Sequence, residues 1–208
     1  MKRAFKTWIK RFWLIAFICF CYASSAFAQS IEIKVPNFLK SFVEPETIPI
    51  ALASADLNGD GAKDFILVLE KQKTLLTDPV ITENQRPLLI ILRTKNNQLK
   101  MVKRNEKIVY CSTCGGAGIG DAFNGVKTER NSFTVSQYGG SFGRWVDTFK
   151  FNYSARDRSW QLVRATFETF NSDRPDKIKT KIYQPPKDFG KIDIADFNPD
   201  NFKNKNVK

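Results

Sequence analysis

The strictest constraint on this chain is an alternation in residues 145–153. Trp145, Phe149, Phe151 and Tyr153 fall at odd positions, with Val146, Thr148, Lys150 and Asn152 between them. Successive side chains of an extended strand point to opposite faces, so this spacing puts an aromatic row on one face and a polar row on the other. A helix would scatter the same residues around its circumference. The strand has company. Phe133, Val135 and Tyr138 mark a strand before it, residues 155–158 turn the chain, and residues 160–170 return antiparallel. Upstream, Phe65-Ile66-Leu67-Val68-Leu69 and Leu88-Leu89-Ile90-Ile91-Leu92 are unbroken apolar runs, the signature of strands buried on both faces. Residues 71–86 read as a polar hairpin connection, 95–98 as a turn and 99–103 as a partner strand. Residues 107–110 and 179–183 predict two further strands. Residues 36–43 place Phe38, Leu39, Phe42 and Val43 on one side of a short helix started by Pro36. The expected fold class is mainly β: a single antiparallel, strongly curved, meander-like sheet with a short N-terminal helix, with α+β as the alternative. No repeat of fixed period is present, which excludes a propeller.

The N-terminus has a separate logic. Lys2, Arg3, Lys6, Lys10 and Arg11 precede an apolar run over 12–22, and Ala26-Phe27-Ala28 offers a small-x-small cleavage site. Together they predict a secretory signal peptide over residues 1–28. The run is short for a bilayer span, which takes about 20 residues, and bulky Phe20 disfavours lipid attachment at Cys21. The remaining chain is expected to hold one β-rich domain over 29–200 and a flexible basic tail over 201–208, without a stable membrane span. Its location is exported, periplasmic or secreted. The whole chain carries +12; without the leader, 28 Lys and Arg face 21 Asp and Glu, a net +7. Much of the excess lies near the C-terminus, including Lys177, Lys179, Lys181, Lys187 and Lys191. Such a surface suits solubility or contact with anionic envelope material. Nucleic acid is not an expected partner, because no binding motif accompanies the charge.

The sequence contains no histidine. That excludes Ser-His-Asp triads, Cys-His pairs and histidine-ligated zinc or iron. A catalytic role would have to rest on carboxylates, such as Asp121 and Asp147 beside Arg144, acting as a hydrolase on envelope glycan. Outside the leader two cysteines remain, Cys111 and Cys114 in Cys-Ser-Thr-Cys. In an oxidising compartment they are expected to pair. A redox site or half of a metal site are the alternatives, but the glycines that follow do not build the helix that stabilises a reactive thiolate.

The densest chemistry lies in Asp56-Leu57-Asn58-Gly59-Asp60-Gly61-Ala62-Lys63-Asp64. Oxygen side chains occupy positions 1, 3, 5 and 9, and the Ala62 carbonyl stands at position 7. Gly59 and Gly61 allow the backbone to close tightly. Asp56, Asn58, Asp60, Ala62 and Asp64 are therefore the expected ligands of a structural Ca²⁺, an ion that takes six to eight oxygens. Position 12, where an EF-hand has its glutamate, is Leu67 within a strand, so Asp64 would coordinate directly. Asp196-Phe197-Asn198-Pro199-Asp200 repeats the opening without the glycine or the ninth-position acid, and is expected to dock Phe197 in the core with its acids solvated.

Glycine also crowds residues 115–120 and 139–143. Tyr138, Phe142, Arg144 and Trp145 around the second group are a possible ligand-binding platform for sugar rings or peptide. The competing expectation is that the glycines make hairpin turns while Trp145 fills the core and Arg144 stacks or pairs with Asp121.

The acidic loop resembles the DxNxDGxxD calcium loops of FG-GAP and VCBS-like repeats. Taken with CSTCGGAGIGDAF, with FTVSQYGGSFGRW and with WQLV, it makes the chain resemble a family of bacterial secreted proteins and lipoproteins of uncharacterised role. The resemblance spans residues 35–170 and implies an exported protein; it implies no activity. The resulting expectation is a monomeric, calcium-stabilised binding or envelope-associated module whose partner is a protein or cell-envelope polymer. The alternatives are the carboxylate hydrolase and a CxxC thiol-disulfide protein.

Overall fold

The computed structural model describes residues 33–72 and 86–203. The expected leader and residues 204–208 lie outside them. Among the described residues, nine antiparallel strands form two meanders. The first sheet has the order β1 (Thr47–Ala55), β2 (Asp64–Lys71), β3 (Leu88–Arg93), β4 (Leu99–Asn105). The second runs β5 (Phe123–Glu129), β6 (Ser132–Gly140), β7 (Gly143–Ser154), β8 (Ser159–Asn171), β9 (Arg174–Tyr183). The mainly β, antiparallel meander is thus as expected, but its strands are shared between two sheets rather than lying in one.

The division occurs at Asn105. Its side-chain oxygen accepts the amides of Lys107 and Ile108, both at 2.7 Å, and its side-chain nitrogen donates to the carbonyls of Ile194 and Phe197 at 2.6 and 2.8 Å. A buried asparagine that captures the amides two and three residues on leaves no ladder to continue. The strand expected over 107–110 therefore does not form. Ile108 and Val109 are nonetheless buried, and the Ile108 carbonyl accepts from the Gln137 side chain at 2.9 Å.

Two apolar clusters explain the unbroken runs of β2 and β3. On one face Ile66, Val68, Leu88 and Ile90 join Phe133, Val135, Phe149, Phe151, Trp160 and Leu162 of the second sheet. On the other, Phe65, Leu67, Leu69, Leu89 and Ile91 are covered by Leu39 from a short 3-10 helix, Asn37–Phe42. Pro36 stands at its N-cap. Complete burial of each large side chain is worth about 1.5–3 kcal/mol, so strands with two covered faces anchor the fold. The β7 alternation holds, with Phe149 and Phe151 inward and Lys150 and Asn152 outward.

Two strands escape the sequence pattern. β1 is an edge strand with small alanines and a register shift at Pro49, a residue that a ladder tolerates at an edge. β5 is the opposite edge case, interrupted at Gly125, which has φ +122. The C-terminus also differs from expectation. A helical turn, α1 (Asp200–Lys203), inserts Phe202 into the core beside Phe189 at 5.5 Å, Tyr183 at 5.9 Å and Phe197 at 5.9 Å. The ordered domain therefore extends into the stretch expected to be a tail. Phe197 docks as expected, 4.9 Å from Phe149 and 5.3 Å from Phe151, while Asp196 and Asp200 are exposed.

Candidate functional site

The acidic loop joins β1 to β2, and its own side chains fold it. Asp56 accepts the amides of Gly59 (2.7 Å) and Gly61 (3.1 Å) on its two oxygens. Asn58 Oδ1 accepts the Asp60 amide at 3.1 Å, and Asp60 Oδ1 accepts the Ala62 amide at 2.8 Å. Each is a short polar residue replacing a backbone partner in a tight turn. Gly59 is required twice over: its φ is +79, and a Cβ there would lie 2.5 Å from the Asn131 side-chain oxygen. Leu57 is buried and fastens the loop to both sheets. The Trp160 indole N–H donates to its carbonyl at 2.9 Å, and the Asn131 amide donates to the Asp56 carbonyl at 2.9 Å.

Asp64, the first residue of β2, is fully buried. Its oxygens accept the amides of Leu57 (3.0 Å) and Arg93 (2.9 Å). Burial raises its pKa above the ordinary carboxylate value; those two N–H groups oppose the rise, and the charges of Asp60 and Asp56 add to it. One oxygen each from Asp56, Asp60 and Asp64 lies within 4.8 Å of the others. Oxygens bound 2.3–2.6 Å from a common centre can stand at most about 5 Å apart, so this spacing fits a shared hard cation. Three carboxylates suit a hard cation by donor type as well. The remaining expected ligands serve the loop in other ways here: the Asn58 side-chain nitrogen donates to Asp60 at 2.9 Å, and Ala62 gives its amide to the same carboxylate. Arg130, unremarked in the sequence, approaches Asp56 at 3.4 Å from an exposed position.

Cys111 and Cys114 form a disulfide, with Cα atoms 5.0 Å apart and the Cys114 amide donating to the Cys111 carbonyl at 3.1 Å. The glycines beyond it line up with the end of β6. Gly140 donates to the Gly115 carbonyl and Tyr138 to that of Ala122, both at 2.8 Å. This loop is locked by Arg86, whose side chain has no exposed surface. Arg86 donates to both oxygens of Asp121 at 2.6 and 2.7 Å, to Glu70 at 3.0 Å and to the Tyr110 carbonyl at 3.1 Å. Burial works against its charge, but Asp121 and Glu70 outweigh that effect and raise its pKa. The sequence offered one sign of it, a lone arginine before the apolar run of β3.

The Tyr138–Trp145 group is only partly brought together. The Arg144 guanidinium lies 5.8 Å from the centre of the Tyr138 ring and donates to the Gly140 carbonyl at 2.9 Å. Trp145 points to the opposite face, 5.9 Å from the Tyr110 ring. Its indole lies over Gly139, where an added Cβ would sit 2.3 Å from Cζ2. Phe142 is 59% exposed in the β6–β7 turn and joins neither ring. Arg144 thus stacks as one expectation had it, but Asp121 belongs to Arg86. Asp147 is buried and accepts the Tyr110 hydroxyl at 2.8 Å. Burial, then the charge of Asp147, raises the pKa of that hydroxyl. Asp121 and Asp147 therefore each have a committed partner.

A cleft of about 510 Å³ opens where β7, β8 and β9 meet. Arg144, Trp145, Phe170, Arg174, Lys177 and Lys179 are among its walls, and no carboxylate among the described residues lines it. The register explains the gathering: Trp145 pairs with Thr169 and Thr169 with Lys179, while Asn171 pairs with Arg174.

No family model matches this chain, and no curated protein matches it. Among solved structures it is similar to a Xanthomonas type IV secretion system related protein, at 16% identity and a TM-score of 0.36. The likeness covers 69% of this chain and 57% of that one, so the chain spans little more than half of its length. A likeness at this level bears on neither activity nor partner.

Proposed function

We propose that the protein is an exported β-rich binding module whose 56–64 loop holds one structural Ca²⁺. The observation that carries this reading is the convergence of Asp56, Asp60 and Asp64, with the buried Asp64 fixed by two backbone amides. A cation there offsets the repulsion among three acids and fastens the β1–β2 corner against Leu57 and Trp160. Its role is structural, since a loop that contacts both sheets gains stability from being held. The leader-like N-terminus and the Cys111–Cys114 disulfide support export to an oxidising compartment. The partner would be a protein or polymer of the cell envelope.

Thermal melting in calcium and in chelator tests the reading. An ion present at 100 times its Kd stabilises by about 2.7 kcal/mol. For a domain of this size, that raises Tm by about 5–10 °C. Asp60→Ala should remove the response. Identical melting curves in calcium and chelator would refute the ion.

A further inference from the structure

We propose that the cationic cleft between β7, β8 and β9 binds an anionic glycan, its sugar rings against Trp145 and its acid groups against Arg174, Lys177 and Lys179. The proposal rests on the binding-module reading above for its envelope setting and names the ligand class; the calcium loop takes no part in recognition. Three observations carry it. First, the volume of about 510 Å³ lies within the range of roughly 300–1,000 Å³ typical of small-molecule sites, enough for a few sugar units. Second, the walls carry one sign of charge. Lys177 and Lys179 make no ion pair among the described residues, while Arg174 keeps only an exposed contact of 3.5 Å with Asp173. Cations gathered in a cleft without acids focus a field that attracts anions. Arginine adds a planar donor fork matched to carboxylate or phosphate. Third, Trp145 supplies flat apolar surface on the sheet face that carries Lys179, which a bare phosphate ion does not need and a sugar ring does.

The fold holds these walls still. Trp145 is clamped between Gly139 and Tyr110, and the Ser172 amide donates to the Phe142 carbonyl at 2.8 Å, tying the β8–β9 turn to the β6–β7 turn. Binding therefore orders little beyond the lysine side chains, which limits its entropic cost.

The test is a titration of the full chain with trigalacturonate, followed by tryptophan fluorescence and calorimetry. It is run in chelator, because uronates bind calcium themselves, at a temperature where the chelated protein remains folded. Maltotriose is the uncharged control; inorganic phosphate and phosphatidylglycerol vesicles represent other sources of anionic charge. Trigalacturonate should bind and maltotriose should not. Lys177→Gln/Lys179→Gln, on the exposed edge strand, should weaken binding about tenfold, whereas Lys95→Gln/Lys100→Gln, equal in charge but distant, should change it by less than about twofold. Failure of trigalacturonate to bind overturns the proposal, whether or not phosphate or vesicles bind. So does equal affinity for maltotriose, or equal weakening by the two lysine pairs. The melting experiment remains independent: a lost calcium response with intact titration refutes the loop alone, and the converse refutes the cleft alone.

Discussion

Replacing Arg86 by methionine should be among the most damaging single changes in the domain. The guanidinium has no exposed surface and makes four hydrogen bonds to Asp121, Glu70 and the Tyr110 carbonyl. Methionine fills part of the space but removes the ion pair to Glu70, which is only 15% exposed. Breaking a buried ion pair by removing one partner typically costs about 3–5 kcal/mol. Asp121 is 49% exposed, so water takes over part of its solvation and its share must be discounted. The expected loss is therefore about 2–4 kcal/mol, set mainly by the lost bonds to Glu70 and to the Tyr110 carbonyl. With a urea slope near 2 kcal/mol/M, the midpoint should fall by about 1–2 M. Circular dichroism and tryptophan fluorescence would follow the transition. Adding Glu70→Gln and Asp121→Asn to Arg86→Met should recover part of the loss, because the groups that faced the guanidinium then carry no charge. A midpoint within the equivalent of about 0.5 kcal/mol of the parent would refute the reasoning, since only surface substitutions behave that way.

Two further outcomes follow from the same region. Gly139→Ala places a Cβ 2.3 Å from the Trp145 indole and 3.0 Å from the Gly115 Cα, so it should cost about 1–3 kcal/mol and shift tryptophan fluorescence; Gly143→Ala, which meets nothing within 4 Å, should leave the urea midpoint unchanged. Reducing the Cys111–Cys114 bond opens a very short loop, for which chain entropy predicts a loss of about 2 kcal/mol, and a Cys111→Ser/Cys114→Ser protein should show that lower midpoint with or without reductant.

What was legible in the sequence was whatever depends on neighbours along the chain. The odd-position aromatics of 145–153 specify a half-buried strand, because side-chain direction alternates whatever lies opposite. Unbroken runs such as Phe65 to Leu69 imply two covered faces. The glycines and short polar residues of 56–64 specify a closed loop, since each turn there is made by a side chain bonding an amide two to five residues away. β1 and β5 were not legible. Their alternation is weak, and they exist because a neighbouring strand offers a ladder.

Tertiary structure decided the rest. Ile108 and Val109 look like strand residues, yet Asn105 takes the backbone amides that a strand would use, and it does so while holding carbonyls 89 and 92 residues away. Phe202 resembles a tail residue but completes an aromatic cluster with Phe197 and Phe189. Arg86 finds Asp121 across 35 residues, and the cations of β9 meet Trp145 through strand register. The sequence alone therefore determined that strands dominate and where the acidic loop closes, because those follow from local geometry. Which buried charge is paired, where the sheet divides and which cations share a cleft depend on groups that become neighbours only when the two sheets pack.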